Sequence, residues 1–188
     1  RSACAKRTRP RMARSAASRG ALPRTQVFAA LSPQSEYFLG GRYLLAHLPQ
    51  PAQKVIAHIN LDGINPLSSD ETVIQIGRGR STIDALLDAA AKEQERKVLD
   101  DPQPELGLFY RSESLLFAKA GIPSVFLGFP DLKRYLQDDY RRKERFGATW
   151  SFVGAAQDRE LLLSVGRRLA EAKAGPAGLP KPKKLDTL

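Results

Sequence analysis

Lys54-Val55-Ile56-Ala57-His58-Ile59-Asn60-Leu61-Asp62 is the stretch from which the fold is read. Val55, Ile56, Ile59 and Leu61 make it a nearly continuous apolar run, the pattern of a strand buried on both faces. Gly63 and Pro66 punctuate the sequence after it, and residues 72–76 form a second β-branched run. Farther on, Ser81 or Thr82 can cap a helix whose apolar stripe is Ile83, Leu86, Leu87, Ala90 and Ala91, reaching about Arg96. Residues 113–120 predict a short helix stopped by Gly121, residues 123–127 a last buried strand, and residues 155–172 an amphipathic closing helix. Residues 128–154 read as mostly irregular.

Upstream of the deciding stretch, residues 26–31 have strand character. Residues 35–47 carry Phe38, Leu39, Tyr43 and Leu44 near helical spacing, ending before Pro49 and Pro51. Strands that alternate with helices predict an α/β sheet with helices on both faces.

The charge is unevenly placed. Eight of the ten excess positive charges lie in residues 1–26, which hold no acid, so the remainder is close to neutral. That leader is expected to be disordered, and residues 173–188 to be a flexible Gly/Pro/Lys tail, leaving 27–172 as the domain. Arginine-rich tails bind polyanions without sequence preference, but the neutral body and the lack of leader aromatics argue against nucleic acid. Cys4 sits in the leader without a second cysteine, which excludes an internal disulfide or cysteine zinc site. No apolar run is long enough to span a membrane. No apolar segment follows the early charges as a secretory signal requires, which leaves the compartment open. The sequence starts at Arg1 rather than Met, as a fragment or processed product does.

Four collinear pieces carry more than class. They are Ala29-Ala30-Leu31-Ser32-Pro33-Gln34-Ser35-Glu36-Tyr37-Phe38-Leu39-Gly40-Gly41-Arg42-Tyr43, then Asn60-Leu61-Asp62-Gly63-Ile64-Asn65-Pro66-Leu67. Phe109-Tyr110-Arg111-Ser112-Glu113 follows, running on through Phe117-Ala118-Lys119 to Gly121-Ile122-Pro123. The last is Gly154-Ala155-Ala156-Gln157-Asp158 with Val165-Gly166-Arg167-Arg168-Leu169. In this order they resemble the C-terminal part of the co-catalytic di-zinc aminopeptidases, a superfamily that includes glutamate carboxypeptidases and glutaminyl cyclases. The resemblance implies an incomplete three-layer, phosphorylase/hydrolase-like mixed sheet with helices on both faces. It also implies peptide substrates and relatives that are commonly periplasmic or secreted.

The chemistry the resemblance implies uses two zinc ions held by two His, two Asp and one Glu, with a further Glu as general base. Such metals polarise a carbonyl and lower the pKa of a bridging water, whose proton a carboxylate then takes. The segment that supplies the first His and bridging Asp corresponds here to the arginine-rich leader, which has neither residue. Gln34 falls at the general-base position and Ser35 at the Glu ligand. An amide accepts no proton at neutral pH, and a serine hydroxyl is a poor zinc ligand. Glu36 comes one residue late, about 100° around a helix. Asp62 matches the terminal Asp ligand, and Arg141 stands where the final His is expected. Tyr110 and Arg111 correspond to the substrate wall, where the usual Asp-His pair reads Glu113-Ser114.

Neither histidine repairs the set. His58 and Asp62 are four strand residues apart, about 13 Å, too far for one ion. His47 ends a helix, where an imidazole complements the dipole. Asp62 without metal can shape the following turn.

The expected function is therefore a truncated zinc aminopeptidase-type domain. Its ancestral activity is hydrolysis of N-terminal peptide bonds, and the protein is expected to bind no zinc and to be inactive. One alternative is a non-catalytic interaction module, with a homodimer among its expected forms; exposed strand edges of an incomplete sheet are expected to aggregate. The other is anionic-polymer binding through the leader.

Overall fold

The computed structural model describes residues 22–31, 37–62, 65, 71–128 and 151–178. In sequence order these form α1 (Leu39–Ala46), β1 (His58–Asn60), β2 (Thr72–Gln75), α2 (Ile83–Lys92), β3 (Lys97–Asp100), α3 (Glu113–Lys119), β4 (Ser124–Gly128) and α4 (Val153–Glu171). Single 3₁₀ turns occupy Ala52–Lys54, Pro104–Leu106 and Leu108–Arg111.

The four strands make one mixed sheet in the order β1-β4-β2-β3. β1 runs parallel to β4, with His58 opposite Ser124 and Asn60 opposite Phe126. β2 is parallel to β3 and antiparallel to β4, where Ile74 faces Gly128. Successive side chains on a strand point to opposite faces, and the apolar residues divide accordingly. Val73 and Val125 enter a core with Ile83, Leu87, Ala90 and Ala91 of α2 and Leu161, Leu162, Val165 and Leu169 of α4. Ile74, Ile76 and Phe126 point the other way and pack on Phe109. His58 leaves β1 on that second side, where its ring stacks on Phe117 of α3. Both faces are thus covered, as the alternation of strands and helices predicts. Each fully buried Leu, such as Leu87 or Leu161, contributes about 1.5–3 kcal/mol.

Three expectations need correction. Residues 26–31 form no strand. Their polar groups go to the end of α4 instead: the Gln26 amide donates to Gly166 O at 3.0 Å, Arg24 donates to Ala172 O and Lys173 O, and Val27 and Phe28 stay exposed. The long strand predicted over residues 54–62 is regular only at His58–Asn60, because β4 pairs with three residues of it. β3 is an addition to the expected elements. Glu95 takes a left-handed φ of 58° after α2, Arg96 N returns to Ala91 O, and the backbone is released straight into Lys97–Asp100. The expected cap is also indirect: Ile83 N donates to Ser81 Oγ at 3.4 Å, while Thr82 Oγ1 accepts from Ala177 N. The ordered contacts reach beyond residue 172, since Thr82 N in turn donates to Ala177 O.

Candidate functional site

Strand direction sorts the expected site residues. β1 and β4 finish at the edge of the sheet where β2 and β3 begin. Asp62, two residues past β1, is exposed at that edge, and Asn65 beyond it is buried. Gln34, Ser35 and Arg141 lie outside the described residues. Among the described residues no three His, Cys, Asp or Glu groups converge as a metal-binding cluster.

On the face beneath α3, β1 carries two polar residues. His58 Nδ1 is 2.9 Å from Ser124 Oγ, which donates to Ser114 Oγ at 3.0 Å. Ser114 is fully buried, and the His58 ring stacks on Phe117 with centroids 3.8 Å apart and planes within 1°. Burial pushes the His58 imidazole down to about 4 from its ordinary 6.5, so it is neutral at physiological pH. Asn60 lies on the same face and is 7% exposed, and its Nδ2 has no hydrogen-bond partner among the described residues. Glu113 is buried where α1 crosses α3. A Cβ at Gly41 would come within 3.2 Å of its Cγ and 3.0 Å of Leu116, so glycine permits that crossing.

Tyr110 and Arg111 belong to the 3₁₀ turn Leu108–Arg111. That turn is held at the end of β2, because the Phe109 ring lies against Gly77. Gly77 has φ 78°, and a Cβ there would stand 2.3 Å from Phe109 Cδ2. The strand directions therefore set Tyr110 and Arg111 at the other edge of the sheet from Asp62. What the fold does bring beside Tyr110 is Arg80, whose Nη2 donates to the Tyr110 hydroxyl at 2.9 Å. Next to it, Arg78 donates to Gln75 Oε1 at 3.0 Å and Asp88 Oδ2 at 2.8 Å. The Asp88 hydrogen bond raises its pKa further. Asp84 accepts from Gln75 Nε2 and from Gly79 N. Sequence reading missed Arg80; the Gly77-Arg78-Gly79-Arg80 stretch, whose glycines both take positive φ, signals a turn but not the aromatic corner beside it.

His47 takes the place expected of it at the end of α1. It stacks on Tyr43 at 4.0 Å, with Nδ1 2.9 Å from Tyr43 O.

Comparison with known proteins agrees with the family resemblance. The sequence model of peptidase family M28 matches residues 9–151, beginning inside the basic leader and ending before α4. No curated protein matches in sequence. Among solved structures, an aminopeptidase from Aneurinibacillus sp. strain AM-1 is similar, with a TM-score of 0.58 and 14% identity. The likeness covers 78% of this chain and 34% of that one, so this protein spans about a third of its length. At that identity it is the fold that is shared.

Proposed function

The chain belongs to peptidase family M28, and from that premise we propose that it is a truncated zinc metallopeptidase domain of the aminopeptidase type. Its ancestral activity is hydrolysis of N-terminal peptide bonds, and this protein is inactive. The family supports a metallopeptidase-type function and peptide substrates. The observation that carries inactivity is the donor set at the family's positions. Gln34 stands for the general base, Ser35 and Arg141 for two ligands, and Asp62 is the one carboxylate kept.

That set does not fit a pair of zinc ions. An amide and a hydroxyl supply no anionic ligand, and a guanidinium repels a cation. Asp62 is exposed beyond β1, and no metal-binding group of His, Cys, Asp or Glu surrounds it among the described residues.

Elemental analysis of the folded protein, after dialysis against zinc and then buffer, tests this together with an aminopeptidase assay. The expected result is well under one ion per molecule and no turnover. Two retained ions with turnover overturn it. A second reading, a non-catalytic interaction module, draws on α1 and its entry, where Tyr37, Leu39 and Tyr43 are exposed. Specific dimerisation of metal-free protein, measured by light scattering, supports that reading. Among the described residues no helix is long and apolar enough to cross a membrane.

A further inference from the structure

An exposed arginine ordinarily sweeps many rotamers, and ordering it costs up to about 2 kcal/mol. Arg80 is exposed yet held in one place. Its guanidinium carbon lies 4.3 Å from the centroid of Phe109 and 5.3 Å from that of Tyr110, and Nη2 is tied to the Tyr110 hydroxyl. The two rings meet edge to face at 85°, so the cation sits in a corner of two aromatic walls. Gly77 makes the corner: the lack of a Cβ lets Phe109 lie under the turn that carries Arg80. Above the turn, the position of a Cβ on Gly79 meets nothing within 4 Å.

The neighbouring cation is neutralised and this one is not. Arg78 pairs with Asp88 and Asp100. Arg80 makes no ion pair among the described residues, and its hydrogen bond goes to a neutral phenol. The acid nearest the turn, Asp84, is engaged by Gln75 and Gly79 N.

The geometry points to a carboxylate-binding site at Arg80, with Tyr110 as its apolar wall. A pre-ordered guanidinium fork matches a carboxylate's two oxygens. The exposed Tyr110 ring, 49% accessible, offers a surface to the hydrocarbon next to that carboxylate. Asp84, Asp88 and Asp100 nearby keep the local field from being strongly positive, which selects one forked contact over a polyanion such as nucleic acid. The ligand class is a peptide carboxylate, either the α-carboxylate that ends a peptide or that of an acidic residue within it. The site lies at the opposite sheet edge from Asp62, so it does not depend on the metallopeptidase reading.

The test is titration of the full-length protein at constant ionic strength, following the Arg80 Nε–H signal by nitrogen-15 NMR. N-acetyl-leucine presents an α-carboxylate, and the α-amide of N-acetyl-glutamate presents a γ-carboxylate. A saturable shift from either supports the site, and the tighter ligand identifies the source. R80K, which keeps charge but loses the fork, should weaken binding about tenfold, read from the Tyr110 and Gly79 amides. R80Q should abolish it. The proposal is overturned by a linear or absent response, by an equal response to uncharged N-acetyl-leucine amide, or by saturable binding that survives in R80Q. Stronger response to a DNA duplex overturns the carboxylate assignment.

Discussion

The two faces of the sheet are built on different principles. The face covered by α2 and α4 is mainly apolar: ten buried hydrophobic residues interlock there, from Val73 and Val125 to Leu169, and its buried polar side chains Gln75 and Arg96 are each tied to a specific partner. The face under α3 and the Phe109 turn has a smaller apolar cluster of Ile74, Ile76, Phe109 and Phe126. Beside it runs the polar line of His58, Ser124 and Ser114, together with unsatisfied Asn60. Apolar burial is non-directional and tolerates many partners. Buried polar groups depend on particular partners, so the second face is where small changes in chemistry should register.

The largest effect is expected at a buried charge on the apolar side. The Arg96 side chain is 2% exposed; it donates to Thr72 O at 3.0 Å and lies 2.8 Å from Asp158 Oδ1 of α4. Removing the carboxylate leaves a buried guanidinium without its counter-ion, which costs about 3–5 kcal/mol. Urea unfolding of Asp158→Ala should show a loss of that order. The double change Arg96→Met with Asp158→Leu should recover most of it, because a well-packed apolar pair replaces the desolvated charges. If the single change is silent, the apolar face carries its charge by solvation and the contrast between faces weakens.

Legibility from sequence follows the same division. Ile83, Leu87, Ala90 and Ala91 repeat at helical spacing, and α2 with its buried stripe is readable for that reason. Residues 72–76 and 123–127 are runs of β-branched and aromatic residues that only a covered sheet accommodates. Lys97–Asp100 escapes because its two apolar residues, Val98 and Leu99, point to opposite cores, and a four-residue strand beside a helix end has no period. Residues 26–31 mislead in the opposite sense: composition favours a strand, but strands exist only by pairing, and Gln26 pairs with α4. At the candidate site, the sequence sets Asp62 at the end of a strand, and the structure has it two residues past β1. Arg80 is not legible, since its corner is assembled from Gly77 and Phe109, 32 residues apart in sequence. Only folding brings them together.

A smaller effect is expected on the polar face as pH falls. The folded protein holds His58 neutral down to about pH 4, whereas the unfolded protein takes up a proton near its ordinary 6.5. A lowered histidine pKa favours the fold at high pH. Its contribution is complete above about pH 6.5, is lost as pH falls from there to about 4, and changes no further below. Linkage gives a loss on the order of 2–3 kcal/mol over that window. Carboxylates also titrate near the lower end, so the quantity to read is the difference from His58→Gln, which keeps a polar partner for Ser124 but does not titrate there. The wild type should lose more stability than the variant between pH 6.5 and 4.5. Parallel curves mean that the ring is solvated on protonation and that the polar line is not a closed unit.

The smallest effect is expected at the end of β1 that leads to Asp62. Asn60 stands on β1 opposite Phe126, two residues before Asp62, and its amide nitrogen is buried without an acceptor among the described residues. An unpaired buried donor costs roughly 1–3 kcal/mol, and an apolar residue of the same shape removes that cost. Asn60→Leu is therefore expected to stabilise the protein by about 1 kcal/mol, seen as a higher urea midpoint with an unchanged slope. The gain is kept modest because Leu must fit beside Phe126 without the best rotamer. The opposite sign, a loss of about 1 kcal/mol or more, would mean that Nδ2 has an acceptor in solution. A gain would show that the amide is a net cost at this end of β1, and a loss that it is partnered there.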